Sequence, residues 1–372
     1  MSAEIDRLGA YPEQAMRLLE EMGFYDITVP RALGGVAADD ELDDAEALIE
    51  ILINLGAGES STAQVWEFSR HLGLVAFGPN SPLSEQARGE LFARIAKEDR
   101  PIRFCGTGAE RYKVRHSYEM KVTPVDGGVV VNGTKYFATG VDGADYAFAP
   151  GCLDGFPSYL EGGAYEVLID LRSEGVHIHG DWDNMGQRAT GSGAVTYEGV
   201  FVPDGYHWPR TTQETTASPI GSAHLVLVMA GIGAGALDAL AEFVKNRTSY
   251  PGALEDPIIQ FQFGEYEYRL RAAQMAVRES IRLSVAHHRT GTPSKAESVL
   301  SIHAAKLALI DALTRVTSTM HNLCGGQGTS NSYDLDRFWR NARTLASQDV
   351  MDLKQRALGA WALTGELPQG AR

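Results

Sequence analysis

The hydrophobic period of the chain changes twice, and those two changes limit the folds open to it. In residues 1–100 apolar side chains recur every three to four positions, as in Met16, Leu18, Leu19 and Met22 and again in Ala45, Leu48, Ile49 and Leu52. That spacing puts them on one helix face, and Pro30 and Gly34-Gly35 interrupt it. Residues 101–213 turn rich in Gly, Val, Tyr and Thr. Here Val129-Val130-Val131, Asn132-Gly133 and Lys135-Tyr136-Phe137 predict a hairpin with Asn-Gly at its tight turn. Further strands are expected at Glu166 to Leu171, Gly175 to His179 and Ala194 to Pro203. From Ala217 the helical period returns and predicts long helices near 218–247, 256–290, 295–323 and 335–363, broken at Pro251, Gly291 to Pro293 and Gly325 to Gly328. The expected architecture is α+β: an N-terminal helical domain (1–100), a middle β domain (101–213) and a C-terminal four-helix bundle (214–372).

Charge removes some functions. Lys and Arg total 33 against 48 Asp and Glu, a net charge of −15. No basic cluster offsets it, so a nucleic-acid or anionic-membrane partner is not expected. Much of the acid lies in residues 1–50, including Asp39-Asp40-Glu41-Leu42-Asp43-Asp44, which is expected to be a solvated helix start. Cys105, Cys152 and Cys324 are far apart, as in a reducing compartment without a disulfide framework. The N-terminus lacks the pattern of a signal peptide, and the apolar run Leu225 to Ala236 is shorter than the roughly 20 residues of a membrane span. A cytoplasmic location is expected.

Several motifs carry candidate chemistry. Gly231, Gly233 and Gly235 lack dinucleotide-loop spacing and sit in a helical pattern, which points to close helix packing. His177, His179 and Asp181 share a strand face, where a solvated edge is the expectation over a metal site. Ser192 sits in TGSG, without the spacing of a nucleophile elbow. Asp349 continues the stripe Leu335, Phe338, Ala342 and Leu345 at helical spacing. A carboxylate on a buried helix face must be paired, protonated or functional, unless the helix end turns to solvent.

NGTKYFATG (Asn132 to Gly140), WDNMGQRATGSGAVTYEGVFVP (Trp182 to Pro203) and CGGQGTSNSYDLDRFWRNAR (Cys324 to Arg343) resemble the acyl-CoA dehydrogenase superfamily, and the resemblance spans nearly the whole chain. It implies an N-terminal helical domain, a β-barrel-like middle domain, a C-terminal four-helix bundle, homotetrameric assembly and a flavin between β domain and bundle. Phe104, Cys105, Gly106 and Thr107 would form the first flavin-facing segment, with Thr107 at the isoalloxazine. Phe137 and Thr139 match the segment covering the flavin, with Trp182 and Ser192 nearby. Arg247 would reach the cofactor phosphate, and Gly325-Gly326 would let a neighbouring subunit approach the adenosine half of FAD. FAD is therefore the expected flavin, with FMN the alternative used by the oxygenase branch; no metal is expected.

The departures from the family set the expected reaction. Counting from Gly326, the usual catalytic glutamate position holds Asp349, and the alternative position falls near His224 and Leu225. The same stretches are closer to the reduced-flavin monooxygenases of the dibenzothiophene monooxygenase kind, where Gln348-Asp349-Val350 stands for a usual His-Asp-Pro. His71, in VWEFSRHLG, resembles the active-site histidine of that branch. The expected activity is oxygen insertion into a small organic substrate, CoA-linked or free. Reduced flavin would come from a separate reductase or by reduction in place, in a pocket lined by Phe104, Phe137 and Trp182. His71, Gln348 and Asp349 are the candidate catalytic residues. An acyl-CoA dehydrogenase or oxidase using Asp349 as base, and an inactive flavin-fold binding subunit, are the rival expectations.

Overall fold

The computed structural model describes residues 1–38, 41–106, 108–110, 118–156, 162–210, 219–247, 249–348 and 350–368. Five helices come first: α1 (Ser2–Leu8), α2 (Glu13–Glu21), α3 (Ala45–Gly58), α4 (Ser60–Phe77) and α5 (Glu85–Glu98). Ala45, Leu48, Ile49 and Leu52 are all buried, as their spacing predicts; of the first stripe Met16 and Leu19 are buried, whereas Leu18 and Met22 face out. Glu59 caps α4, its carboxylate accepting from the Ser61 and Thr62 amides.

The middle elements are β1 (Phe104–Gly106), β2 (Lys121–Val125), β3 (Gly128–Lys135), β4 (Tyr146–Leu153), β5 (Ala164–Asp170), β6 (Val176–Ile178), β7 (Val195–Pro203) and β8 (His207–Pro209). They form one mixed sheet in the order β6-β7-β3-β2-β4-β5-β8, with β1 added in parallel on β4. The barrel-like shape implied by the resemblance is thus this single sheet, with β6 and β8 at its ends. The hairpin lies elsewhere than expected. Its turn is Asp126-Gly127, between β2 and β3, and β3 runs on through Asn132-Gly133. At that point β3 bulges against β7, the Asn132 side chain accepts from the Gly199 amide at 2.8 Å, and Gly133 has φ +146°. A Cβ on Gly133 would lie 2.7 Å from the Met120 Cα, so close approach, not a turn, requires glycine there.

The last elements are α6 (Pro219–Lys245), α7 (Pro257–Thr290), α8 (Lys295–Thr319), α9 (His321–Cys324), α10 (Asp336–Ala346) and α11 (Met351–Thr364). Ser294 and Glu297 form a reciprocal capping box at the start of α8. The helix expected over 335–363 is two helices. Leu335, Phe338, Ala342 and Leu345 do form a buried stripe, but the helix that carries it, α10, ends at Ala346. Asp349 lies outside the described residues.

Gly231 and Gly235 bring α6 against α3. A Cβ on Gly231 would fall 2.3 Å from the Ile53 carbonyl oxygen, and one on Gly235 2.4 Å from that of Ala57. Ala223–Lys245 is also long and apolar enough to cross a bilayer, extending well beyond the apolar run Leu225 to Ala236, yet most of it is buried within the protein. The core has two parts: α2, α3 and the start of α4 share one with α6–α10, and the end of α4 and α5 share the other with the sheet.

Candidate functional site

Helix α4 reaches both parts of the core, and at its crossing over β1 it walls a cavity of about 390 Å³. Helical spacing puts two i,i+4 pairs, Glu67 with His71 and Phe68 with Leu72, on the cavity side of α4. The facing wall follows the strand period of two: Phe148 and Pro150 project from one face of β4, and Glu166 stands opposite Pro150 in the β4–β5 register. Gly106, Gly108, Tyr118, Arg210 and His224 complete the lining. Gly106 lets α4 lie close, since a Cβ there would meet Leu72 at 3.2 Å and the Phe148 carbonyl at 3.1 Å. The Phe104 amide donates to Ser69 Oγ at 3.0 Å, fixing α4 on β1.

The charged groups differ in how fully they are satisfied. Glu67 is wholly buried and held bidentately by Arg70, at 2.6 and 2.7 Å. Behind the sheet wall, buried Lys135 donates to Glu110 at 2.5 Å and lies over the Tyr118 ring; burial lowers its pKa. Burial raises the pKa of Glu166, and its ion pair with Arg210 Nε spans 3.3 Å. His71 Nδ1 is buried with no hydrogen-bond partner among the described residues. The His224 ring packs edge-on against Phe68 at 4.7 Å.

A buried polar network lies beside this cavity. Thr139 bridges to Gly106 through the backbone, and its hydroxyl accepts from Gln64 at 3.4 Å and from Ser192 at 3.3 Å. Ser192 also donates to Thr190 at 2.7 Å. Gln187, at φ +50°, donates to Gln64 and to the Ser60 carbonyl and accepts from the Ser60 hydroxyl, while its amide donates to Asn341 on α10. Trp182 donates to the Gln187 carbonyl at 2.8 Å, and its ring meets the exposed ring of Phe137 edge-on at 6.1 Å.

His71 and Gly106 thus come together, with Thr139 and Ser192 alongside. The expected lining by Phe104, Phe137 and Trp182 is corrected. Phe104 is buried among Phe77, Tyr146 and Phe148, and Phe137 and Trp182 form an aromatic face outside the cavity. Gln348 is exposed beyond the end of α10 and does not line the cavity; Thr107, like Asp349, lies outside the described residues. Arg247 and Gly325 meet at the other end of α6, where Arg247 donates to the Leu323 carbonyl at 2.9 Å. At 1.5 Å per residue that end is about 30 Å along the helix from His224. His177, His179 and Asp181 take separate partners: Glu198, Thr196 and the Ala194 amide. Glu67 and Phe68 carried the same helical spacing as His71 in VWEFSRHLG, whereas Glu166 is a single charge in a strand and Arg210 follows one, without a spacing signal.

The chain resembles known proteins along nearly its whole length. Residues 223–352 match the family model described as acyl-CoA dehydrogenase, C-terminal domain. Dibenzothiophene monooxygenase of Rhodococcus erythropolis is 28% identical over 99% of this chain and 90% of its own length. A probable FMNH2-dependent monooxygenase of Pseudomonas putida is 25% identical over 99% and 92%. The FMN-bound crystal structure of TdsC from Paenibacillus sp. A11-2 superposes with a TM-score of 0.83 at 23% identity, covering 99% and 94% of the two chains. The chain has the acyl-CoA dehydrogenase fold, and its residues 223–352 carry the likeness to that family's C-terminal domain. The relatives and neighbours that it resembles are flavin monooxygenases of that fold, which marks the chain as a flavin-dependent oxidoreductase.

Proposed function

We propose that the chain is the oxygenase of a reduced-flavin system, which receives reduced flavin from a separate reductase and inserts oxygen into a small organic molecule held in the α4–sheet cavity. The observation that carries this reading is His71 Nδ1, buried and without a partner among the described residues, on the wall of an otherwise largely apolar cavity. A flavin fits beside it. Phe137 and Trp182 offer an open aromatic face for the ring, and the Thr139 and Ser192 hydroxyls stand next to the Gly106 edge of the cavity. When bound, reduced flavin supplies the two electrons that let one oxygen atom of O2 enter substrate while the other leaves as water. Phe68, Leu72, Phe148 and Pro150 exclude bulk water, which would otherwise divert oxygen to hydrogen peroxide. His71 holds and delivers a proton at Nδ1, and the Gln64–Thr139–Ser192 chain orients the hydroxyls.

The flavin we propose is FMN. Support comes from the FMN-bound TdsC structure and the FMNH2-dependent relative; the retained Gly325-Gly326 pair favours FAD. Titrating the protein with each flavin by fluorescence quenching separates them, tighter FMN binding supporting the proposal. The distance between Arg247 and the cavity along α6 supports a homotetramer in which Arg247 and Gly325 serve a neighbouring copy's cofactor. Sedimentation equilibrium tests it, and a monomer with full flavin affinity would refute it. A cytoplasmic location is supported by three buried cysteines outside any disulfide. Single-turnover mixing of reduced FMN, O2 and substrate tests the function itself. Oxygenated product is expected; bleaching of bound oxidised flavin by an acyl-CoA under anaerobic conditions would instead indicate the dehydrogenase.

A further inference from the structure

Two carboxylates line the cavity, and they are not equally engaged. Glu67 spends both oxygens on Arg70. Glu110, behind the wall, accepts from Lys135 and from the Glu119 and Met120 amides. Glu166 accepts no hydrogen bond among the described residues and has only the 3.3 Å ion pair with Arg210. An ionised carboxylate offers about four lone-pair sites, and leaving them unfilled on a side chain only 15% exposed is costly. Its charge is nevertheless balanced: Glu67 with Arg70, Glu110 with Lys135 and Glu166 with Arg210 leave the surroundings neutral. A cationic ligand would add an uncompensated charge there, whereas a neutral donor would complete the acceptor without one. The remaining walls, Phe68, Leu72, Phe148 and Pro150, suit a flat apolar body.

We infer that Glu166 determines substrate specificity: the cavity takes a neutral aromatic molecule carrying an O–H or N–H donor, which Glu166 accepts while the ring packs against Phe68 and Phe148. This inference rests on the cavity being the substrate site of the proposed oxygenase, but its test needs no turnover.

The probes are 2-naphthol, 2-methylnaphthalene and 2-methoxynaphthalene, which keep the ring system and differ in the donor. Binding to the wild-type holoprotein is followed by calorimetry and, separately, by competition between probes. The expected result is that 2-naphthol binds about tenfold or more tightly than either donor-free analogue. Glu166→Gln, which keeps the shape but removes the charge from the acceptor, should erase most of that preference and leave 2-methylnaphthalene affinity unchanged. Equal affinity of the wild type for all three probes, absence of binding by any, or an unchanged preference in the variant would overturn the inference. If Glu166→Gln does not fold, the wild-type comparison alone decides. A donor preference without oxygenation would sink the oxygenase reading and keep this one; oxygenation without the preference would do the reverse.

Discussion

His71 sits where α4 faces the sheet across the cavity, with Nδ1 unpartnered among the described residues, so its removal should separate flavin oxidation from oxygen transfer. His71→Ala is expected to lower product formation by about 10²–10⁴-fold, the usual worth of a placed proton donor. Reduced flavin should still be consumed, with hydrogen peroxide released; peroxide and product assays on the same reaction check it. A second residue gives a stability prediction. Burial, reinforced by the nearby Asp6, raises the pKa of Asp334 to about 6. The unfolded value is about 3.9, so the folded state holds the proton more tightly and this group's contribution to stability falls as pH rises from about 4 through 6. Asp334→Asn should therefore be more stable than wild type at pH 8, by about 1–2 kcal/mol, and nearly equal to it below pH 4. Urea unfolding at the two pH values tests this. The place of His71 on the cavity wall was legible because a helical motif carried it. That of Glu166 was not, because it comes from the pairing of β5 with β4, which juxtaposes residues far apart in the chain.

Among the described residues the most extensive contact between elements is α3 on α6, and it depends on absent side chains. Gly231→Ala would drive a methyl into the Ile53 carbonyl and should cost about 1–3 kcal/mol by overpacking. Gly264→Ala on α7, where a Cβ meets nothing within 4 Å, should instead stabilise by about 0.5–1 kcal/mol through helix propensity. Thermal melts of the two variants should move in opposite directions. The packing role of the α6 glycines was readable because three small residues fall in an unbroken helical pattern. The strand β4 was missed because Pro150-Gly151 reads as a break, although it pairs with β5 along its whole length. The hairpin was misplaced because Asn132-Gly133 has the composition of a turn, yet β7 pairs with β3 on both sides of it. Ser347–Val350 carries neither glycine nor proline, and so gave no sign that α10 and α11 are separate.

At the scale of the molecule, the N-terminal acid is not simply a solvated surface. Asp43, Glu46 and Glu50, ascending α3 and its approach, pair with Arg289, Arg282 and Arg278, descending α7; Asp6 pairs with Arg340, and Glu13 and Glu20 with Arg103. Hydrogen bonds from Arg282 and Arg278 lower the pKa values of Glu46 and Glu50. Their stabilisation is therefore present above about pH 4.3 and lost as pH falls through the lower folded values. Being exposed, each pair is worth only about 0.2–1 kcal/mol. Glu46→Gln with Glu50→Gln should lower unfolding stability slightly at 50 mM salt and hardly at all at 1 M, a contrast readable by chemical denaturation. The order of helical, β and helical segments was legible from periodicity. The sharing of one core between α2–α4 and the C-terminal helices was not, since periodicity shows which face is buried and not against what. The oxygenase reading is tested most directly by isotope: the FMN-loaded protein is reduced, mixed with 2-naphthol or dibenzothiophene, and exposed to ¹⁸O₂. One ¹⁸O atom in an organic product is the expected result, and recovery of all the label as hydrogen peroxide or water, with both compounds unchanged, would contradict it.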